Sequence, residues 1–263
     1  MTILCGYAAT GAEIRIKSAD ELIQFSNSVN GGTNYTGYTV FLDSDLDFTG
    51  KTMEPIGNST KFFQGYFDGL GHVISNLTMS SSSRYVGLFG YSGLLNLKNV
   101  ILDSYCSITS SSSGRQIKVS NSRYNVFSYT GGIIGYCYAT AGPCTVESSV
   151  NMGNVTFKGT LQTGGSYYSY SYVGGIAGPF DSPYYVSTVK NCANYGTITF
   201  SGKSMDSNIG GIAGISHGYS SSSRMYVYNC LNYGTIIHKG TATGAYTWEG
   251  LADTTNTRHL IIA

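Results

Sequence analysis

Gly87-Leu88-Phe89-Gly90 is the first copy of the short motif that decides the fold of this chain. Three further copies follow, Gly132-Ile133-Ile134-Gly135, Gly175-Ile176-Ala177-Gly178 and Gly211-Ile212-Ala213-Gly214, and a shortened one is Gly250-Leu251-Ala252. Successive copies lie 45, 43, 36 and 39 residues apart. Recurrence at such a spacing indicates a repeat architecture, in which one unit cannot bury its apolar side without its neighbours.

A second motif recurs in phase with the first. Its copies are Ser149–Phe157, Cys192–Phe200 and Cys230–His238, and each places an asparagine two residues before a glycine. Two motifs that keep the same phase establish the repeat.

Each unit contains three candidate strands, which in one copy are Tyr172 to Ala177, Val186 to Cys192 and Thr197 to Phe200. These segments are β-branched or aromatic and are separated by glycine turns. Stacked in register, they predict an all-β fold: a single-stranded right-handed parallel β-helix (a β-solenoid) with coils about 4.8 Å apart. A propeller is the competing repeat fold, but its blades need four strands. The longer Ser/Tyr/Gly stretches, Ser107 to Tyr129, Gly159 to Ser171 and His217 to Arg224, are predicted to be projecting loops.

In-phase stacking also predicts columns of equivalent side chains. The asparagines of the second motif should form a ladder of amide hydrogen bonds from coil to coil. An apolar column should face inward and its polar neighbours outward. The three sets are Asn151, Asn194 and Asn232; Val155, Ile198 and Ile236; and Asn154, Thr197 and Thr235.

A capping helix is predicted at the N-terminal end. Ser18-Ala19-Asp20-Glu21 is a capping box, and Gly31-Gly32 ends the apolar run after about ten residues. We expect residues 1–12 to be a leader or tag remnant, 13–84 the helix and first coils, 85–253 the repeated coils, and 254–263 a tail. The tail offers no cap, so we expect the native chain to continue.

Composition excludes several classes of protein. Charged residues are 11% of the chain, glycine numbers 35, and the net charge is +1. The charge gives no field to attract nucleic acid, and no apolar run is long enough for a spanning helix. Asn-x-Ser/Thr sequons at Asn34, Asn58, Asn76 and Asn154 are compatible with export without showing it.

A family resemblance adds to this picture. Phe67–Leu77, Leu42–Asp47, Pro55-Ile56-Gly57 and Ser18–Leu22, together with Gly87–Gly90, resemble bacterial and protist surface proteins with GLUG-type repeats. The resemblance covers roughly residues 12–252. It implies a β-helical part of a secreted or cell-surface protein, often adhesin-like, and it transfers no catalytic residue.

Three aspartates form a candidate calcium site. Asp43, Asp45 and Asp47 alternate, so a strand would place all three carboxylates on one face. Glu54 is twelfth from Asp43, but Phe48 stands where a calcium loop needs glycine. The alternative is a set of solvated or turn-bonded aspartates, and we otherwise expect no cofactor.

Of the six cysteines, Cys137 and Cys144 are the disulfide candidate, because they lie seven apart around Gly142-Pro143. Cys192 and Cys230 occupy equivalent positions where another unit has Ser149. A small interior slot explains this, so we expect buried free thiols there, although stacking leaves a disulfide between them open.

Tyrosines are the candidate binding residues. They form two clusters read as loops, Tyr167, Tyr168, Tyr170 and Tyr172, then Tyr184 and Tyr185. Tyrosine binds through both ring and hydroxyl at low entropic cost, which suits recognition; the alternative is that these rings pack between coils.

The predicted function is therefore a non-enzymatic extracellular or cell-surface module. It would be a rigid stalk or adhesin that presents these tyrosines to a glycan or to a host or extracellular-matrix protein. The alternative is a carbohydrate-active enzyme, a polysaccharide lyase or hydrolase, on the same scaffold. Against it, the acids of the repeat region share no column: Asp103, Glu147, Asp181, Asp206 and Glu249.

Overall fold

The structure is a computed structural model that describes residues 11–120, 123–181, 184–214 and 224–248. Within these ranges the chain is mostly β-strand, arranged in five sheets with predominantly parallel pairing, and it has one helix.

Two of the sheets contain the first strands of the chain, and in both sheets the strands pair in chain order and in parallel. The first sheet consists of β1 (Glu13–Ile16), β2 (Thr39–Leu42), β4 (Tyr66–Asp68), β9 (Leu95–Lys98), β15 (Cys144–Glu147), β20 (Val186–Lys190) and β24 (Arg224–Tyr228). The second consists of β3 (Leu46–Asp47), β5 (Val73–Ser75), β10 (Ile101–Leu102), β16 (Val150–Asn151), β21 (Ala193–Asn194) and β25 (Leu231–Asn232).

The remaining sheets are also parallel except for one hairpin. The third consists of β6 (Thr78–Ser81), β11 (Ser107–Ser110), β17 (Asn154–Phe157), β22 (Ile198–Phe200) and β26 (Ile236–His238). The fourth consists of β12 (Arg115–Ser120), β13 (Arg123–Gly131), β18 (Tyr167–Gly174), β23 (Lys203–Gly210) and β27 (Thr241–Trp248), with β7 (Tyr85–Val86) paired to the end of β13. The fifth consists of β8 (Phe89–Ser92), β14 (Ile134–Tyr138) and β19 (Phe180–Asp181). Only β12 and β13 pair antiparallel among these strands.

The chain visits the sheets in a fixed order, and we call one circuit through them a pass. From β9 it enters the second sheet at β10, the third at β11, the fourth at β12 and β13, and the fifth at β14, and it returns to the first at β15. Each strand therefore lies beside its counterpart from the previous pass; Val155, for example, pairs with Ile108 on one side and Ile198 on the other.

Two sequence predictions about the strands are wrong. The passes contain more strands than the predicted three: five in β4–β8, six in β9–β14, five in β15–β19 and four in β20–β23. The segment read as Tyr172 to Ala177 is the end of β18 and a separate bridge at Ala177. The stretches Ser107 to Tyr129 and Gly159 to Ser171 contain β11, β12, most of β13 and the start of β18 rather than loops alone. Alternating tyrosine and serine is a strand pattern, since it places the rings on one face. The third predicted loop, His217 to Arg224, lies outside the described residues except Arg224, where β24 begins.

The predicted amide ladder is confirmed. Asn151 donates to the Oδ1 of Asn194 at 2.9 Å, and Asn194 donates to the Oδ1 of Asn232 at 2.8 Å. The same amide of Asn194 also donates to the carbonyl of Gly196 at 3.0 Å. A buried amide is stabilised only when its donors and acceptors are satisfied, and these neighbours satisfy one another.

The two repeated motifs meet at this ladder. A Cβ added to Gly175, the first glycine of its motif, would collide with the carbonyl oxygen of Gly211 and with the side-chain amide carbon of Asn194. Gly211 approaches Asn232 in the same way. The glycine is therefore required by close approach of the backbone to the asparagine column.

The corner between the first and second sheets has one conformation in successive passes. Asn99, Ser148, Asn191 and Asn229 are all left-handed, with φ between 49° and 57°. Asparagine tolerates this region better than most residues with a side chain, which explains three of the four.

The interior is apolar and divides into two clusters. Val155, Ile198 and Val173 belong to the smaller one, between the third and fourth sheets. Val155 and Ile198 are fully buried as predicted, while Ile236 is half-buried. Asn154 and Thr235 are exposed and Thr197 is partly exposed, so the outward column is also confirmed.

The helix α1 (Ala19–Gly31) is confirmed and is 13 residues long. The Ser18 side chain accepts from the amide of Glu21, and Gly32 ends the helix with φ 120°. The Glu21 carboxylate reaches back to the amide of Lys17 at 2.6 Å rather than to that of Ser18. Phe25 fixes the helix on the early strands, with its ring 5.5 Å from that of Phe63.

Candidate binding site: an aromatic face and its cleft

Alternation along β18 separates its side chains between two faces. Ser169 and Ser171 are fully buried on the interior side, while Tyr168 and Tyr170 are partly exposed on the other. In the parallel register, Phe127 of β13 lies beside Tyr170 and Tyr129 beside Tyr172, and Tyr85 of β7 lies beside Tyr129. We call this side of the fourth sheet the aromatic face; its rings are Tyr85, Phe127, Tyr129, Tyr168, Tyr170 and Tyr172. Of these, Tyr85, Phe127, Tyr129 and Tyr172 are buried.

The rings of the aromatic face stack along the sheet. Tyr129 lies parallel to Tyr85 at 5.6 Å between ring centroids and to Tyr172 at 5.4 Å. Phe127 stacks on Tyr170 at 5.3 Å. This stacking follows from the strand spacing, since residues paired across a parallel ladder are held at about the same distance.

A cleft of about 200 Å³ forms where the aromatic face meets the fifth sheet. Tyr136 of β14 stacks on Tyr129 at 4.4 Å, and Tyr91 of β8 meets Tyr85 edge-on at 5.0 Å. The lining is almost entirely aromatic, with one charged residue: Arg84, Tyr85, Tyr91, Ile117, Phe127, Tyr129, Tyr136 and Tyr138. Tyr138 and Ile117 are the most open of these, with exposed fractions of 39% and 40%.

Arg84 is held flat against the rings of the cleft. Its guanidinium carbon lies 5.2 Å from the ring centroid of Tyr85, 5.3 Å from that of Phe127 and 5.0 Å from that of Tyr129. One terminal nitrogen donates to the Tyr129 hydroxyl at 3.1 Å, and the Nε is buried with no hydrogen-bond partner. Cation–π contacts of this kind fix the group without neutralising its charge.

The tyrosine hydroxyls of the cleft are neutral. Burial raises the pKa of Tyr85, Tyr91, Tyr129 and Tyr136. For Tyr136 the neighbouring Asp181 carboxylate, to which it donates at 3.0 Å, raises the pKa further. These hydroxyls therefore act as hydrogen-bonding groups at any physiological pH.

The predicted tyrosines are only partly brought together. Tyr168, Tyr170 and Tyr172 share the aromatic face, on a strand rather than the predicted loop. Tyr167 points the other way and stacks on Tyr124 at 5.2 Å. Tyr184 and Tyr185 precede β20 in a different part of the chain, and Tyr184 is 81% exposed.

Sequence reasoning missed the residues of the cleft. The signal lay in the repeat itself, because Tyr85, Tyr129 and Tyr172 each stand two residues before a glycine of the first motif region. Tyr91 and Tyr136 directly follow the last glycine of that motif. Alignment on the glycines of the motif would have placed Tyr91 and Tyr136 in one column and Tyr129 and Tyr172 in another, with Tyr85 displaced by one residue.

The three aspartates of the calcium hypothesis do not converge. Asp43 and Asp45 lie between β2 and β3, not on one strand, and each carboxylate has its own partner. Asp43 pairs with Arg15 at 2.8 Å. Asp45 accepts from the Val73 amide at 2.9 Å and lies 3.0 Å from His72 Nδ1.

Asp47 accepts from the amide of Thr49 at 2.9 Å and from Asn76 at 2.8 Å. Hydrogen bonds, from Val73 and His72 to Asp45 and from Asn76 and Thr49 to Asp47, lower the pKa of both carboxyls. Among the described residues, no group of three or more His, Cys, Asp or Glu side chains could hold a metal ion.

Cys137 and Cys144 are brought together. Their Cα atoms are 6.5 Å apart and their sulfurs are bonded, joining β14 to the start of β15. Cys192 and Cys230 are buried free thiols, as predicted. The hydrogen bond with Cys230 and burial raise the pKa of Cys192, so it is an unreactive interior group.

Paired carboxylates of the kind that glycosidases use are not found at the cleft. None of its lining residues is acidic, and Asp181 accepts a hydrogen bond from the lining residue Tyr136. Glu147 is engaged with Lys190 at 3.0 Å. Within the described part of the chain, no helix is both long and apolar enough to cross a membrane.

No protein-family model and no curated protein matches the chain. Among solved structures, the chain is similar to the crystal structure of "a putative immunoglobulin A1 protease from Bacteroides ovatus". The identity is 17% over 91% of this chain and 86% of the other, and the TM-score is 0.38. A likeness this distant transfers neither fold nor activity.

Proposed function

We propose that this chain is a right-handed parallel β-helix module of the GLUG-repeat kind, in an exported or cell-surface protein, and that it binds glycans without acting on them. The cyclic order of the five sheets and the register between passes support a solenoid. The bonded pair of Cys137 and Cys144 supports export, because disulfides persist in oxidising compartments.

The observation that carries the binding role is the aromatic face with its cleft. Most of its rings are buried, with exposed fractions of 8% or less for Tyr85, Phe127, Tyr129 and Tyr172. The parts open to a ligand are the partly exposed rings of Tyr168 and Tyr170 and, at the cleft, Tyr138 and Ile117. A cleft lined by aromatic side chains with one charged donor has the make-up typical of a small-ligand site. Sugar rings combine apolar faces with hydroxyls, so they match such a surface.

The non-enzymatic form of the proposal rests on the lining of the cleft. Glycoside hydrolysis needs two carboxyl groups roughly 5 to 9.5 Å apart across the scissile bond. The cleft lining described above has none, and its tyrosines are neutral, so the groups present can bind a sugar but cannot act as an acid–base pair.

An array of glycans and extracellular-matrix proteins, probed with the purified chain, tests this proposal. Saturable binding to glycans should weaken at least about tenfold when Tyr138 and Tyr168 are both changed to alanine, which removes the most accessible rings of the site. The matched control is Tyr105→Ala, because Tyr105 is 74% exposed and lies between β10 and β11, away from the aromatic face.

Three results would reject the proposal. Binding that Tyr105→Ala weakens as much as the double variant would place the site elsewhere. Binding to matrix proteins alone, with no glycan retained, would replace the glycan by a protein partner. Cleavage of any arrayed glycan would favour the enzyme alternative.

A further inference from the structure

The charge around the aromatic face is one-sided. Residues 104–146 contain no aspartate or glutamate, and they carry Arg115, Lys118 and Arg123. In a chain with net charge +1, this places a local excess of positive charge on the β12–β13 hairpin.

Three arginines belong to one surface. Arg115 pairs in register with Phe127 across the hairpin, and Ile117, two residues further on, lines the cleft. Arg123 lies over the ring of Tyr168 with its guanidinium carbon 4.0 Å from the centroid. Arg84 is fixed on the rings of the cleft. The aromatic face therefore carries guanidinium groups at its β12 edge and in its cleft.

These arginines have no acidic partner among the described residues. The ion pairs found among the described residues involve other basic side chains, namely Arg15, Lys17, Lys51, His72, Lys98 and Lys190. Acids occur only towards the other side of the site: Asp206 lies beside Tyr170 on β23, and Asp181 is bound by Tyr136. The three arginines thus lie on the β12–β13 side and in the cleft, opposite Asp206 on β23.

From this arrangement we infer that the ligand is an acidic glycan, whose sulfate or carboxylate groups bind Arg84, Arg115 and Arg123 while its sugar rings lie on the tyrosines. The inference rests on the proposed glycan-binding function. Guanidinium groups bind sulfate and carboxylate through paired hydrogen bonds, and arginines already held on aromatic rings lose little freedom on binding. The Asp206 carboxylate would repel these anionic groups, so the glycan should lie along the β12–β13 side of the aromatic face.

Titration calorimetry on the full chain tests the inference with three probes of similar length. They are a sulfated glycosaminoglycan hexasaccharide, the same hexasaccharide after chemical desulfation with its carboxylates reduced, and single-stranded DNA. The sulfated probe should bind, its Kd should rise steeply between about 0.05 and about 0.3 M salt, and the neutral probe should bind at least about tenfold more weakly.

Two variants and one control assign the contact. Arg123→Gln and Arg115→Gln should each raise the Kd for the sulfated probe by roughly three- to tenfold, with less salt dependence left. Lys158→Gln removes one exposed positive charge outside the aromatic face and should leave the Kd unchanged. Because Arg115 is exposed on an outer strand, that variant should fold even if changes near Arg84 do not.

The possible outcomes distinguish failure of this inference from failure of the proposed glycan-binding function. Equal binding of the sulfated and neutral probes, unaffected by either arginine variant, would overturn the acidic ligand and leave glycan binding standing. DNA bound as tightly as the sulfated probe would also overturn it, in favour of unspecific polyanion binding. Failure of both glycan probes to bind the folded chain would reject the inference and the proposed function together.

Discussion

The first passes of this molecule and the repeated ones are stabilised in different ways. Before residue 99 the rings meet tilted or edge-on, as with Phe25 and Tyr35 at 39° and Phe63 and Phe67 at 87°, and six of the seven ion pairs among the described residues lie there. In the later passes the same side chain recurs from pass to pass and stacks on its copy, as Phe157 does on Phe200 at 13°. The repeated passes are therefore stabilised by ladders of identical side chains rather than by packing of differently shaped ones. The stability of each position then depends on its equivalents in the two adjacent passes.

The largest effect should come from the glycine column. Gly175→Ala places a Cβ against the Gly211 carbonyl and the Asn194 amide, both backed by rigid backbone, and should cost about 3 kcal/mol or more. Gly31→Ala is the control in the first passes, because nothing lies within 4 Å of its added Cβ. It should be neutral or stabilise by up to about 1 kcal/mol. Chemical denaturation of both variants checks the contrast; equal stabilities would contradict the close approach.

Phe25→Ala should have the next largest effect, and it should remain local. The ring contacts Tyr35, Phe63 and Phe67, so its removal should cost about 3–5 kcal/mol where the helix packs. Hydrogen exchange should quicken in α1 and β1 while β17 and β22 keep their protection. Uniform loss of protection through the later passes would mean that the two regions are one cooperative unit.

Removing one asparagine of the ladder should destabilise both neighbouring passes. Asn194→Ala leaves Asn151 without its acceptor and Asn232 without its donor, which should cost about 3 kcal/mol. Asn154→Ala, which changes an exposed asparagine of the preceding unit, should cost less than about 1 kcal/mol. Similar losses for the two variants, measured by thermal or urea unfolding, would show that the ladder does not stabilise the fold.

Acid should loosen the first passes before the repeated ones. The lowered pKa of Asp45 and Asp47 means that their stabilising effect is complete above the unfolded carboxyl pKa of about 3.9. It is lost as the pH falls through the lower folded values. The Val73 and Thr49 amides should therefore lose their protection from hydrogen exchange, relative to the amides of β22, between about pH 5 and pH 2.5. Asp45→Asn should abolish the pH dependence at Val73, and its persistence would exclude the Asp45 contact as the cause.

The smallest effect should follow from an exposed ion pair. Arg15→Gln removes contacts to the half-buried Asp43 and the exposed Glu13, so the loss of stability should be the smallest of this series and should vanish in high salt. Unfolding at low and high salt measures it. A larger, salt-independent loss would point to the stacking of Arg15 on Phe41 instead.

The sequence predicted what repeats and failed on what does not. The phase between the two motifs was enough to predict the Asn151–Asn194–Asn232 ladder and the inward positions of Val155 and Ile198. It was not enough for the cleft, because Arg84 has no counterpart in later passes and two of the rings it contacts, Phe127 and Tyr129, lie more than 40 residues away in the chain. Tyr167 could not be separated from Tyr168 without knowing which face of β18 is buried.

Serine-rich low complexity was the other source of error. Residues such as Ser169 and Ser171 resemble linker composition, yet both are fully buried in a strand. A parallel ladder satisfies the backbone of such a segment, so small polar side chains are accepted wherever the neighbouring pass supplies partners.

The fixed order of the sheets also has a consequence for how such a chain can change over time. Duplication of one whole unit, by unequal recombination between its in-phase copies, would add a pass whose glycines and asparagines fall into the existing columns. A gain or loss of one residue within a strand would exchange its interior and exterior side chains. Length can therefore vary in whole units, while the outward residues of any single unit remain free to diverge toward new ligands.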